Sequence, residues 1–173
     1  MITLVLGGAR SGKSEVAEAI AEDLVAAAGD GTGAVTYLAT LVEGGDGDLT
    51  ARIDAHRARR PPQWTTVEVE GSLPGALRAV GGTALVDSLG PWVAAAPGMA
   101  VDAADLCAAL CERHGDTVVV SEEVGWGVHP ASEAGRAFRD TLGALNQAVA
   151  AVADEVLLVV AGRTLRLETG PGR

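Results

Sequence analysis

Gly7-Gly8-Ala9-Arg10-Ser11-Gly12-Lys13-Ser14 stands between an apolar run, Ile2 to Leu6, and a segment of helical periodicity that begins at Glu15. The spacing is G-x-x-x-x-G-K-[ST], that of a phosphate-binding loop. Each residue type answers a chemical need. Glycines let backbone N–H groups close round phosphate oxygens, the Lys13 ammonium reaches the β and γ phosphates, and the Ser14 hydroxyl holds Mg²⁺. The helix that follows directs its N-terminus at the anion. Lys13 is also the only lysine: every other member of the 13 basic residues is arginine. A lone lysine in so arginine-rich a set marks a place where a flexible ammonium is wanted.

Working outward, 173 residues suit one domain with a sizeable core, read here as a single domain over 1–173. Hydrophobic residues at 48% and charged residues at 21% place the chain among globular proteins. No apolar run approaches the roughly 20 residues of a membrane span. The N-terminus enters a strand directly, without the basic region and cleavage site of a secretory signal, so the cytoplasm is the expected compartment.

A net charge of -10 argues against a general nucleic-acid binder, which neutralises phosphates with a basic surface. Aromatic residues at 3% leave few platforms for stacked bases. Arg52, Arg57, Arg59 and Arg60 nonetheless fall close together, a concentration that suits a small anion. Cys107 and Cys111 are four apart in a helical segment with no metal-ligand spacing nearby, and read as buried or free thiols.

Along the chain, Val16, Ala17, Ile20, Ala21 and Leu24 recur at helical spacing as far as Gly29-Asp30-Gly31. Ala34 to Thr40 reads as the second strand, Leu49 to Arg60 as a helix stopped by Pro61-Pro62, and Trp64 to Val69 as a strand. A short helix over Ser72 to Val80, a strand over Thr83 to Asp87, and an irregular or briefly helical piece over Pro91 to Pro97 follow. Asp102, with Asp105 three residues on, opens a helix to Gly115. Thr117 to Ser121 is the most β-branched strand, Ser132 to Val152 a long helix, Glu155 to Ala161 a core strand, and Thr164 to Leu167 its hairpin partner. Apolar strands alternating with helices predict an α/β fold, a mainly parallel sheet covered on both faces. The site is then expected at the carboxyl ends of the strands.

Three strand ends carry candidates. Asp87 closes an apolar strand, where a phosphate-loop enzyme places the carboxylate that orients Mg²⁺. Glu122 and Glu123 follow Val118-Val119-Val120-Ser121; one can be a base or metal partner, or both a solvated pair. Thr40 ends the second strand and can face a nucleotide. The helix around His56 is the less usual feature. Residues three and four apart share a face, so Arg52, Arg59 and Arg60 surround His56. Neighbouring guanidinium groups disfavour imidazolium, keeping His56 neutral and nucleophilic while they bind phosphate oxygens. That arrangement suits attack on a nucleoside triphosphate's α-phosphate; a solvated basic face gives the same pattern.

Together these runs resemble a known family. Gly7 to Ser14, Tyr37-Leu38-Ala39-Thr40, Arg52-Ile53, His56-Arg57, Arg60-Pro61 then Trp64, Val86-Asp87, Glu123-Val124-Gly125, Phe138-Arg139-Asp140 and Leu145-Asn146-Gln147 occur in order over nearly the whole chain. They resemble the adenosylcobinamide kinase/adenosylcobinamide-phosphate guanylyltransferase family. The chain departs from that pattern at Glu122, where many relatives have Asn, and at Ala94-Ala95-Ala96, which lack an Asn after the Trp.

The resemblance implies a P-loop NTPase with a RecA-like sheet, a homotrimer, and a bifunctional enzyme of cobalamin nucleotide-loop assembly. ATP or GTP phosphorylates adenosylcobinamide, and a guanylylated histidine then passes GMP to the phosphate, giving adenosylcobinamide-GDP. It puts the nucleophile at His56 and nucleotide contacts at Gly7, Gly8, Ala9, Arg10, Ser11, Gly12, Lys13 and Ser14. Further contacts fall at Ala39, Thr40, Leu41, Arg57, Ala58, Arg59, Arg60, Glu68 and Asp87. The corrinoid is a substrate and the expected cofactor is Mg²⁺, at Ser14 and Asp87. A simple small-molecule kinase and a GTP-binding regulatory module are the two other readings of the loop.

Overall fold

The computed structural model describes residues 1–28, 34–41 and 60–170. The predicted helix from Leu49, with His56, Arg57, Ala58 and Arg59, lies outside the described residues except for Arg60. The sheet is built from β1 (Ile2–Gly7), β2 (Val35–Ala39), β3 (Thr65–Glu68), β4 (Thr83–Asp87), β5 (Thr117–Glu122), β6 (Glu155–Val160) and β7 (Arg163–Arg166). Their order is β3-β2-β4-β5-β1-β6-β7. Every pairing is parallel except β6 with β7, which form an antiparallel hairpin.

The central strands are apolar because both of their faces are covered. Successive side chains point to opposite faces, so β1 sends Leu4 and Leu6 into one core and Val5 into the other. α1 (Lys13–Ala28) covers the Val5 face, where Ala17 and Ala21 are fully buried and let the helix approach the sheet. α2 (Leu73–Ala79), α3 (Leu89–Ala95), α4 (Ala103–Glu112) and α5 (Glu133–Val152) contribute to the other core. Leu73, Leu77, Leu89, Leu106, Leu142 and Leu145 there are essentially removed from water. Each such side chain stabilises the fold by about 1.5–3 kcal/mol.

Helix starts follow the local chemistry. Ser72, Asp102 and Ser132 each accept the backbone N–H three residues on, at 3.0, 2.9 and 3.0 Å. The stretch from Pro91 to Pro97, read as irregular or briefly helical, is the second of these as far as Ala95, and its helix begins two residues earlier, at Leu89. Pro91 lies in the first turn, where the missing N–H has no intrahelical partner to lose. The helix expected to reach Gly115 ends at Glu112, and the last core strand stops at Val160. There the chain reverses through Ala161 and Gly162, both at positive φ (51° and 71°), as a two-residue hairpin turn requires. Cys107 and Cys111 are free, and burial raises the Cys107 pKa, so that thiol stays protonated. Among the described residues no helix is long and apolar enough to cross a membrane.

Candidate active site

The carboxyl ends of β1, β2, β4 and β5 converge on a cavity of about 820 Å³, within the usual ~300–1,000 Å³ of small-molecule sites. The phosphate loop forms one wall. Gly7 admits no side chain: a Cβ there would lie 2.4 Å from Ser11 Oγ and 2.9 Å from the Val159 carbonyl oxygen. Gly12 adopts φ +91°, a conformation L side chains rarely take. The hairpin braces the loop from behind, the Gly162 N–H donating to the Ser11 carbonyl at 2.8 Å.

Lys13 opens α1 at the loop's exit and is largely buried, its side chain 11% exposed. Its ammonium donates to the Gly8 carbonyl at 3.4 Å and lies 3.9 Å from Glu122 Oε1. Beside it, Ser14 Oγ donates to Asp87 Oδ1 at 3.4 Å, joining the loop helix to the end of β4. Tyr37, on the neighbouring β2, donates its hydroxyl to Asp87 Oδ2. Burial first, and the Asp87 charge and hydrogen bond next, push the phenol well above its usual range, so it remains a donor. A hydroxyl and an oriented carboxylate are hard oxygen donors, and such a pair fits Mg²⁺, which takes its other ligands from substrate phosphates and water. Among the described residues no cluster of three or more His, Cys, Asp or Glu offers an all-protein metal cage.

Arg60 forms the rim. Its guanidinium stacks 3.5 Å over the Tyr37 ring, a cation–π contact, and Nη1 donates to Thr66 Oγ1 at 3.0 Å. Its buried Nε has no hydrogen-bond partner among the described residues, leaving donor capacity beside the cavity.

β5, which runs between β4 and β1, ends in Glu122, level with Gly7 of β1. Glu122, its side chain partly buried, is held at both oxygens: Ser88 Oγ donates to Oε1 at 2.7 Å and the Gly90 N–H to Oε2 at 2.9 Å. Its main chain is fixed too, since buried Asn146 donates to the Glu122 carbonyl at 3.0 Å while accepting from Ser121 Oγ at 2.6 Å. Glu123 turns its carboxylate to the Gly125 N–H at 2.7 Å.

Of the residues expected to touch nucleotide, Ala9 to Ser14, Ala39, Leu41, Arg60, Glu68 and Asp87 line this one cavity. Gly7 and Gly8 build the loop behind it. Thr40 does not line it: its buried hydroxyl donates to the Ser88 carbonyl and accepts the Ser88 N–H at 2.9 Å, clipping β2 to the end of β4. It faces a separate hollow of about 570 Å³ with Trp92. His56, Arg57, Ala58 and Arg59 are outside the described residues. Tyr37, Ser88 and Gly162 line the cavity without having been singled out as site residues. Tyr37 left the one available signal, a phenol in a strand otherwise apolar at its core positions.

The sequence profile described as cobinamide kinase / cobinamide phosphate guanyltransferase (CobU) matches residues 3–167. The chain is 38% identical over 180 residues to the bifunctional adenosylcobalamin biosynthesis protein CobP of Pseudomonas aeruginosa, covering 99% of each. It is 35% identical over 190 residues to the bifunctional adenosylcobalamin biosynthesis protein CobU of Salmonella typhimurium, covering 97% of this chain and all of that one. Among solved structures it resembles the flagellar accessory protein FlaH of Methanocaldococcus jannaschii with a TM-score of 0.53 at 11% identity. That likeness covers 94% of this chain and 74% of the other, and bears on the fold alone. The fold is that of a P-loop NTPase, a mainly parallel sheet with helices on both faces. The phosphate loop, the Ser14–Asp87 pair and a match running nearly from end to end agree, and the chain belongs to the cobinamide kinase / cobinamide phosphate guanyltransferase family.

Proposed function

We propose that the chain is a bifunctional transferase of cobalamin biosynthesis. It phosphorylates adenosylcobinamide with ATP or GTP, then transfers GMP from GTP through a guanylylated His56 to adenosylcobinamide phosphate. The product is adenosylcobinamide-GDP, and the corrinoid is a substrate throughout. The observation that carries this reading is the convergence of Lys13, Ser14 and Asp87 on one cavity whose rim bears Arg60. The same phosphate-binding site then serves both half-reactions.

The protein's part is to bind, orient and stabilise charge. Loop N–H groups and the start of α1 receive the phosphates, and the Lys13 ammonium offsets charge developing on transferred phosphoryl or departing pyrophosphate. Ser14 and Asp87 would hold Mg²⁺, which supplies charge neutralisation at the phosphate oxygens. Arg60 offers further donors at the rim. His56 precedes Arg60, a residue of the cavity lining, by four residues in the sequence. We further propose one domain over the whole chain, a cytoplasmic location, no nucleic-acid partner and a homotrimer.

GTP labelled at the α-phosphate, incubated with the protein, Mg²⁺ and the corrinoid, tests the reading. Covalent label on the protein together with phosphorylated corrinoid is the expected result. Turnover without label would make it a simple small-molecule kinase, and binding without either a regulatory module.

A further inference from the structure

The hollow of about 570 Å³ beside the nucleotide cavity opens on the same carboxyl edge of the sheet, since Thr40 and Val69 in its lining directly follow β2 and β3. One pair of residues divides the two spaces. Thr40 lines the hollow and Ser88 lines the cavity, and the Thr40 hydroxyl donates to the Ser88 carbonyl while accepting its N–H. The wall of the hollow is preformed. The Val69 N–H donates to the Ala39 carbonyl at 2.8 Å, and the Trp92 indole N–H is spent on the Gly71 carbonyl at 2.8 Å, which fixes the ring. With Pro74 and Val101, these two side chains make much of the lining apolar.

Charge limits what such a space can hold. Every ionisable side chain among the described lining residues is acidic: Glu70, Asp102 and Asp105. Two of these are committed, Asp102 capping α4 through the Asp105 N–H at 2.9 Å and Asp105 pairing with Arg78 at 2.7 Å. Glu70 is exposed and makes no hydrogen bond or ion pair among the described residues, so its carboxylate is free to accept. Like charge disfavours a nucleotide's phosphates in this hollow, whereas neutral N–H donors and apolar surface suit it.

Resting on the function proposed above, we infer that this hollow is the corrinoid subsite. It takes one edge of the macrocycle, and the arm bearing the acceptor hydroxyl crosses the Thr40–Ser88 clip into the phosphate cavity. A corrin ring has apolar faces and a fringe of neutral carboxamides. The apolar part suits the wall of Trp92 and Val101, and the amide N–H groups suit Glu70. One placement then serves both corrinoid substrates, because the hydroxyl of the first and the phosphate of the second both end beside Lys13 and Arg60, while the uncharged fringe stays among carboxylates. Self-guanylylation consumes no corrinoid and does not depend on the hollow.

Ala95, at the end of α3, and Ala100 are exposed and line the hollow, so a larger side chain at either fills the space without entering the core. The test is Ala95→Phe and Ala100→Phe, made separately, with adenosylcobinamide as the probe in equilibrium dialysis and in steady-state phosphorylation. Corrinoid Kd and KM should rise about tenfold or more, the scale on which overpacking a filled space is felt. GTP affinity and the rate of self-guanylylation should stay within threefold of the parent. Glu70→Ala should weaken the corrinoid by several-fold and leave GTP alone. Corrinoid affinity within threefold of the parent in both phenylalanine variants overturns the inference, as does equal loss of phosphorylation and self-guanylylation. A changed oligomeric state with corrinoid affinity kept would give the hollow to a second copy of the chain and overturn it too. All three results leave the proposed function standing; an unmodified chain that neither binds nor phosphorylates adenosylcobinamide would overturn both.

Discussion

Tyr37 and Ser14 grip the two oxygens of one carboxylate: the phenol donates to Asp87 Oδ2 and the serine to Oδ1. Asp87 thus presents itself to the cavity in one orientation, set from β2 and α1 together. Tyr37 is itself nearly fully buried, and that burial with the Asp87 charge keeps its phenol protonated, while Arg60 stacks on its ring. Tyr37→Phe removes the second grip and little else. Such supporting hydrogen bonds typically change metal affinity by about 10- to 100-fold. The expected outcome is a Mg²⁺ requirement for phosphorylation raised about tenfold, with near-parental rates at saturating Mg²⁺. A Mg²⁺ titration that overlays the parent's would show that Asp87 needs no such support.

Gly7 and Gly8 are adjacent, yet the structure gives them opposite tolerance. A Cβ at Gly7 would meet Ser11 Oγ and the Val159 carbonyl, the latter backbone of a paired strand that cannot swing aside. A Cβ at Gly8 would meet nothing within 4 Å. Gly7→Ala is therefore expected to cost about 1–3 kcal/mol, as overpacking does, and Gly8→Ala a small fraction of that. Thermal unfolding of the two variants without nucleotide checks it; equal shifts would mean the loop relaxes around either side chain.

The hairpin behind the loop has a correctable weakness. Ala161 sits at φ 51°, a left-handed conformation that costs an L residue about 1–2 kcal/mol and that Asn tolerates better. Ala161→Asn should stabilise the protein by about 0.5–1 kcal/mol. For a domain this size that is a rise of about 1–4 °C in Tm. An unchanged or lower Tm would show that the turn is not strained by its alanine.

Local signals carried far in this chain. β1 and β5 are read from uninterrupted β-branched and apolar runs, and the loop from its spacing, because two-face burial and phosphate binding both write themselves into adjacent residues. Asp102 with Asp105 marked a helix start for the same reason. What stayed illegible depends on contacts between distant elements. Glu122 looks like half of a solvated acidic pair until Ser88 and Gly90, over 30 residues earlier, are brought against it. Thr40 has the residue type of a nucleotide contact, but parallel pairing of β2 with β4 places the Ser88 backbone where its hydroxyl is used up. The Arg60–Tyr37 stack joins residues that no periodicity relates.

The guanylyl carrier is the sharpest remaining test, and His56 is the residue on which it turns. Within Arg52 to Arg60 the arginines are excluded as nucleophiles because guanidinium groups stay protonated, which leaves the His56 imidazole and the Asp54 carboxylate, and the acid–base behaviour of the label tells the two apart. Phosphoryl transfer to the corrinoid hydroxyl is direct displacement at the γ-phosphate and needs no covalent enzyme intermediate. His56→Ala should therefore abolish labelling by α-labelled GTP and abolish guanylyl transfer, while nucleotide binding at the phosphate loop and phosphorylation of the corrinoid persist. On the unmodified protein the label should be lost in acid and kept in base, as a P–N bond to imidazole behaves. Label that survives acid, or that still forms in His56→Ala, would pass the role to another residue, and His114 and His129 are the other histidines of the chain. His129 already engages Arg139 at 2.8 Å through Nδ1. Loss of both activities in a folded His56→Ala would make the histidine a shared binding group, and the separation of the two half-reactions would fail with it.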